Sequence, residues 1–194
     1  MKKLFVISAP SGAGKTTLCQ RLLKDFSELT LSISSTTRPP RGKEKDSVDY
    51  FFITEAEFKK KAAGNRFAEW AIVHGNDYGT SKDFIEESLA RGKCILLDID
   101  IQGAESLRKS YPNLCYTLFI SPPDLTALEK RLRSRGTDNE TTIQERLKNA
   151  REELREAKKF DQIILNDDLE KAYSDLKRVL ESQLPLKTTK GTRG

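Results

Sequence analysis

Leu, Ile, Val and Phe make up about a quarter of the 194 residues, enough for an apolar core in one domain carrying insertions. Basic residues exceed acidic ones by 34 to 29, but Lys187, Lys190 and Arg193 fall in a Thr- and Gly-rich tail beyond the last acid, Glu181, so no basic stripe suited to a nucleic-acid backbone is left. No apolar run approaches the ~20 residues of a spanning helix, and Cys19, Cys94 and Cys115 have neither disulfide-framework nor metal-ligand spacing, which reads as a reduced, cytoplasmic protein without a membrane partner.

Taken along the chain, Met1–Ala9 mimics a short secretion signal, but its apolar part is too brief and runs into a glycine loop. The run Leu4–Ser8 predicts a buried strand, and helix follows over Thr16–Phe26. A second strand is expected at Leu29–Ser34. From Ser34 to about Thr80 the rhythm changes. Pro39-Pro40 and a charged turn precede short strands at Val48–Ile53 and Phe67–Val73, with a helix at Thr54–Gly64 between them. Helix Ser81–Arg91, strand Ile95–Ile99, helix Gln102–Ser110, strand Tyr116–Ser121 and helix Asp124–Arg135 come next. After a polar break at Gly136–Glu140 the pattern ends with helix Thr142–Lys159, strand Gln162–Leu165 and helix Leu169–Leu184. Thr54 with Glu57 and Thr142 with Glu145 have capping-box spacing. Apolar strands alternating with helices imply an α/β fold, a parallel sheet flanked by helices with a small α+β insertion. Cys94 and Cys115 sit in or beside apolar runs and read as buried hydrophobes.

The segment Ala9-Pro10-Ser11-Gly12-Ala13-Gly14-Lys15-Thr16, between a strand and a helix, follows the P-loop pattern with Ala9 at its first glycine. Successive backbone N–H groups and a helix N-terminus make a concave anion site. Lys15 is expected to reach the β- and γ-phosphates of a nucleoside triphosphate and Thr16, followed by Thr17, to offer its hydroxyl to Mg²⁺. Asp98, ending an apolar strand, belongs beside such a loop and would reach the metal through water. A phosphate-transferring enzyme also needs an acceptor site. Ser34-Ser-Thr-Thr-Arg38-Pro-Pro-Arg41, followed by Tyr50, supplies hydroxyls, a phenol and two guanidiniums held apart by a Pro-Pro turn, an arrangement that favours an anion between them. A solvated basic turn is the alternative.

With these residues, Glu69, Tyr78-Gly79-Thr80, Asp98-Ile-Asp100-Ile-Gln-Gly103, Arg131-Leu-Arg-Ser-Arg135, Arg146 and Asn166-Asp167 in this order, nearly the whole chain resembles the guanylate kinase family. The resemblance implies a P-loop NTPase-type core that transfers the ATP γ-phosphate to GMP, giving ADP and GDP, with dGMP left open as a second acceptor and the oligomeric state undecided. It implies that Arg38, Arg41, Tyr50 and Tyr78 grip the GMP phosphate and that Ser34, Glu69 and Thr80 read guanine, with Asp100 nearby. Guanine presents N1–H and the 2-amino group side by side, so one carboxylate accepts from both, whereas adenine would leave Glu69 unpaired. Arg131, Asn166 and Asp167 would lie on the ATP side, and Lys15, Arg41, Arg135 and Arg146 would carry the transferred charge. The implied division is a core of residues 1–33, 81–124 and 160–186, a GMP-binding insertion at 34–80, a lid at 125–159 and a basic tail at 187–194. The family usually has glycine where Ser47 stands. His74, the only histidine, reads as incidental. A non-catalytic phosphopeptide-binding relative and a kinase for another nucleotide are the competing readings; Gly14, Lys15, Thr16 and the lid arginines argue against the first, and Glu69 with Thr36-Thr37-Arg38 against the second.

Overall fold

In the computed structural model, residues 2–73, 75–134, 136 and 138–184 are described here. Five parallel strands form the main sheet in the order β2-β7-β1-β8-β9, with β1 (Leu4–Ser8) at its centre between β7 (Cys94–Asp98) and β8 (Cys115–Ser121), and β2 (Leu29–Ser32) and β9 (Gln162–Leu165) at the edges. Strand alternation sends β1 side chains to opposite faces. Phe5 and Ile7 pack with Leu18 and Leu22 of α1 (Lys15–Asp25) and with Leu176 and Leu180 of α7 (Leu169–Gln183). Leu4 and Val6 pack with Ile85 of α3 (Lys82–Ala90) and Leu107 of α4 (Ile101–Ser110). Covering both faces explains why the strands read as continuous apolar runs. All three cysteines are buried in these cores.

A second sheet has the order β4-β3-β6-β5, from β3 (Ser35–Thr36), β4 (Phe51–Phe52), β5 (Phe67–Val73) and β6 (Asn76–Ser81). Helix α2 (Glu55–Ala63) packs Phe58 against Phe67, ring centroids 4.6 Å apart. Beyond β8, α5 (Leu125–Ser134) and α6 (Glu140–Glu156) bury Leu128, Leu132, Ile143, Leu147 and Ala150 in a small core of their own.

Several elements differ from the sequence reading. The run expected as one strand at Leu29–Ser34 is two pieces: β2 leaves the main sheet at Ser32, and β3 joins the other sheet at Ser35. Strand Val48–Ile53 is reduced to Phe51–Phe52, because Ser47 turns the chain with φ 62, a left-handed conformation costing a non-glycine residue about 1–2 kcal/mol. Strand β6 was not expected at all. The capping box at Thr54 and Glu57 is formed. The one at Thr142 and Glu145 is not: α6 starts earlier, capped by Asn139, whose side chain accepts from the Thr142 N–H at 2.9 Å. Expectations for His74, Arg135 and the tail 187–194 lie outside the described residues.

Candidate active site

The loop from Ala9 to Gly14 joins the central strand to α1. Gly12 and Gly14 adopt φ 96 and φ 92, whereas Ala9 is not among the positive-φ residues, so an alanine is tolerated at the first glycine position of the pattern. The Ala13 N–H donates to the Pro10 carbonyl at 3.0 Å, closing the turn. Thr16 and Thr17 are exposed on the first turn of α1. Lys15 forms an ion pair with Asp98, at the end of the neighbouring strand β7, and donates to the Ile99 carbonyl at 3.3 Å. Burial disfavours the Lys15 ammonium, but Asp98 outweighs it and the pKa is raised, so the side chain is cationic at neutral pH.

Asn166 follows β9 and is 3 % exposed; its side-chain amide donates to the Ala13 carbonyl at 2.6 Å, tying that strand end to the phosphate loop. A Cβ on Gly14 would stand 2.4 Å from that amide nitrogen, so glycine is required there on steric as well as torsional grounds. Arg131 of α5 donates to the carbonyls of Asn166 and Asp167, at 2.8 and 3.2 Å. The next residue, Asp168, caps α7 by accepting the Lys171 N–H at 2.8 Å. Arg146 of α6 reaches back to the loop, donating to Ser11 Oγ at 2.8 Å and pairing with Asp138 at 3.2 Å. The sequence therefore gathers Ser11, Lys15, Arg131, Arg146, Asn166 and Asp167 around one loop from four separate segments.

Facing the N-terminus of α4, strand β5 of the second sheet carries a buried acid. In β5, Glu69 is buried while the neighbouring Trp70 is exposed, and Glu69 Oε1 accepts from Thr80 Oγ1 of β6 at 2.5 Å. Asp100 caps α4 by accepting the Gly103 N–H at 2.9 Å. A Cβ on Gly103 would meet Glu69 Oε2 at 2.5 Å and Asp100 Oδ1 at 3.1 Å, which puts both acids over the same backbone turn. Burial pushes the Glu69 carboxyl up to about 7; the Thr80 hydrogen bond opposes this and the Asp100 charge adds to it. Asp98 and Asp100, two residues apart, thus face the phosphate-loop lysine and the buried glutamate respectively. The end of β7 links the two half-sites.

Ser34 is buried where the chain passes from β2 to β3. Arg38 is 5 % exposed, donates from Nε to the Tyr78 hydroxyl at 3.0 Å, and lies 5.3 Å from the centre of the Tyr50 ring. The Tyr50 and Tyr78 rings are 5.9 Å apart. Burial raises the Tyr50 phenol pKa, with Asp98 adding and Lys15 opposing, which places that ring within electrostatic reach of the phosphate loop. Arg41, by contrast, is exposed.

Three acids were missed in the sequence. Asp138 sits in a polar break that reads as a loop tip, and Glu153 in a run of charge that reads as a solvated face. Glu153 stands seven residues after Arg146, on the same side of α6; burial pushes its carboxyl up to about 7, with Lys15 opposing and Asp100 adding. Glu44 belongs to a charged turn, yet its carboxylate grips Arg38. The only available signals were helical spacing for Glu153 and, for Glu44, the two arginines that call for an anion between them.

Residues 1–183 match the protein-family model described as guanylate kinase. The chain belongs to the guanylate kinase family. Among guanylate kinases, that of Lawsonia intracellularis is 52% identical over 173 residues, 89% of this chain and 81% of that protein. That of Myxococcus xanthus is 45% identical over 181 residues, covering 93% and 86%. A solved structure of guanylate kinase from Anaplasma phagocytophilum superposes with a TM-score of 0.78 at 29% identity, covering 96% of this chain and 88% of that one.

Proposed function

We infer that the chain is an ATP:GMP phosphotransferase in which the γ-phosphoryl group passes from the ATP β–γ bridging oxygen to a phosphate oxygen of GMP, releasing ADP and GDP. Family membership supports the reaction. The observation that carries the assignment of residues is the pair of half-sites joined at the end of β7: a phosphate-loop lysine paired with Asp98 and, two residues on, Asp100 standing beside the buried Glu69, an acid suited to guanine. In this reading residues 34–80 hold GMP, 125–159 form the lid, and the segments 1–33, 81–124 and 160–186 hold ATP. Ser34, Glu69 and Thr80 meet the guanine edge, with Asp100 beside them, and Arg38, Arg41, Tyr50 and Tyr78 meet the acceptor phosphate.

The chemistry asks for charge stabilisation more than proton transfer. The attacking oxygen is already anionic at neutral pH, so no general base is needed. Lys15, Arg146 and Arg41 oppose the charge that spreads over the equatorial and bridging oxygens during transfer, with Arg135 assigned the same role by the family resemblance alone. Arg146 already rests on Ser11, so the lid helix approaches the phosphate loop directly. Closing the lid over both nucleotides keeps water from competing as acceptor.

Among the described residues no group of three or more His, Cys, Asp or Glu could hold a metal ion by itself. Mg²⁺ retains several waters and substrate oxygens, so a sparse donor set, the exposed Thr16 hydroxyl with Asp98 reached through water, suits it. When bound, Mg²⁺ would supply charge neutralisation on the ATP phosphates; Thr16 and Asp98 would hold it. Chelation with EDTA is expected to stop ADP release, and added Mg²⁺ to restore it, with Asp98→Asn requiring about tenfold more Mg²⁺ for half-maximal rate. Full turnover in EDTA would contradict the metal assignment. Among the described residues no helix is long and apolar enough to cross a membrane, and a cytoplasmic location fits the small-molecule substrates.

A further inference from the structure

We propose that Glu44 is a positioning residue for the acceptor phosphate, fixing Arg38 and the backbone of Arg41 so that their donors converge on it. The proposal rests on the reading of residues 34–80 as the GMP site. The geometry is specific. Glu44 Oε2 accepts from Arg38 NH1 at 2.9 Å and Oε1 from Arg38 NH2 at 3.0 Å, a bidentate pair, and Oε2 also accepts the Arg41 N–H at 2.7 Å. One carboxylate therefore sets both arginines flanking the Pro39-Pro40 turn.

A guanidinium has five N–H donors on three edges. Glu44 takes the edge between NH1 and NH2, and the Pro39 carbonyl accepts from NH1 at 2.7 Å. On the Nε–NH2 edge the Tyr78 hydroxyl receives the Nε–H at 3.0 Å, which leaves one NH2 N–H on that side, with the Tyr50 ring alongside. Tyr50, Tyr78 and this guanidinium edge are what the assignment gives to the acceptor phosphate. Without Glu44 the Arg38 plane loses its bidentate constraint, and a long side chain must be ordered each time GMP binds. The segment carrying Glu44 lies between two left-handed turns, Gly42 at φ 55 and Ser47 at φ 62, and the Glu44 N–H donates to the Arg41 carbonyl at 3.0 Å, which holds the carboxylate beside both arginines. Arg38 holds the Glu44 carboxyl below its ordinary pKa, so the pair is charged throughout the neutral range.

The test compares the affinities of GMP and guanosine, by calorimetry, in the parent protein and in Glu44→Gln and Glu44→Ala. The difference between the two ligands isolates the phosphate contribution. Both variants are expected to bind GMP about tenfold more weakly with guanosine affinity unchanged, and to raise the KM for GMP by more than they lower kcat. Thermal melting should fall, since the buried Arg38 loses its counter-ion, and by less in Glu44→Gln, which keeps an acceptor, than in Glu44→Ala. Unchanged or tighter GMP binding would overturn the proposal, as would equal weakening of both ligands, which marks a merely structural role. A parent protein that binds GMP no better than guanosine would instead overturn the reading of the site.

Discussion

Lys15→Ala is expected to lower kcat for ADP release by roughly 10²–10³-fold while GMP binding stays within about twofold of the parent protein. The size follows from removing one preorganised positive donor aimed at charge that develops during transfer. The selectivity follows from the architecture: Lys15 belongs to the phosphate loop and pairs with Asp98, whereas the acid proposed to read guanine and the arginines proposed to hold the acceptor phosphate come from the second sheet and its flanking loop. Loss of the ion pair should cost little stability, since both side chains are partly exposed, at 21% and 29%. A coupled assay of ADP release, with calorimetry of GMP on the same preparation, separates the two quantities. Substantial turnover in the variant, or loss of GMP binding, would contradict the division of labour.

Glu69→Gln is expected to reduce kcat/KM for GMP by at least about 100-fold, because a neutral amide accepts from only one of the two guanine donors and leaves the other facing an N–H. The same substitution should stabilise the protein at alkaline pH. Burial raises the folded-state carboxyl from 4.5 to about 7. Between those values the folded protein holds more protons at this site than the unfolded chain, so the site's contribution to stability falls as pH rises. Above pH 7 the full cost applies, about 3 kcal/mol for a shift of this size; below pH 4.5 it vanishes. Melting curves of the parent and the variant should therefore nearly coincide at pH 4.5 and separate by pH 8, the variant being higher. The KM for GMP in the parent should rise as pH falls through 7, since a protonated carboxyl cannot accept from both donors. A variant whose melting advantage is independent of pH would remove the desolvation argument.

The main sheet was legible because its strands are short apolar runs: Leu4–Ser8, buried throughout, and Gln162–Leu165, an edge strand with only Ile164 buried, are both read to the residue. Strand β6 was invisible for the opposite reason. Its sequence, Asn76-Asp-Tyr-Gly-Thr-Ser81, contributes Tyr78 and Thr80 to the site, and a strand selected for polar contacts loses the apolar pattern that announces it. The change of sheet after Ser32 left no mark either, since the residues on both sides are small, hydroxylated and buried. At α6, Asn139 and Thr142 both have capping chemistry, and only the tertiary position of the preceding loop decides between them.

The candidate site was legible wherever a motif fixes backbone geometry, as in the phosphate loop. It was illegible wherever a charge is set by a tertiary contact that the local pattern does not show. Glu44 in a charged turn, Asp138 at a loop tip and Glu153 in a charged helix each look solvated along the sequence, and only the packing of α6 and the turn at Pro39-Pro40 turns them inward. Glu69 itself, next to an exposed tryptophan, carries no local signal of its role; the resemblance pointed to it, and burial with the Thr80 and Gly103 contacts gives it a physical basis.

The most direct test is a panel of acceptors, GMP, AMP, UMP and dTMP, offered with ATP and Mg²⁺ while ADP is followed. GMP should be turned over with kcat/KM at least about 10³-fold above AMP and the pyrimidine nucleotides, as a buried carboxylate selecting paired N–H donors requires. Comparable rates with AMP, or no turnover with GMP, would contradict it.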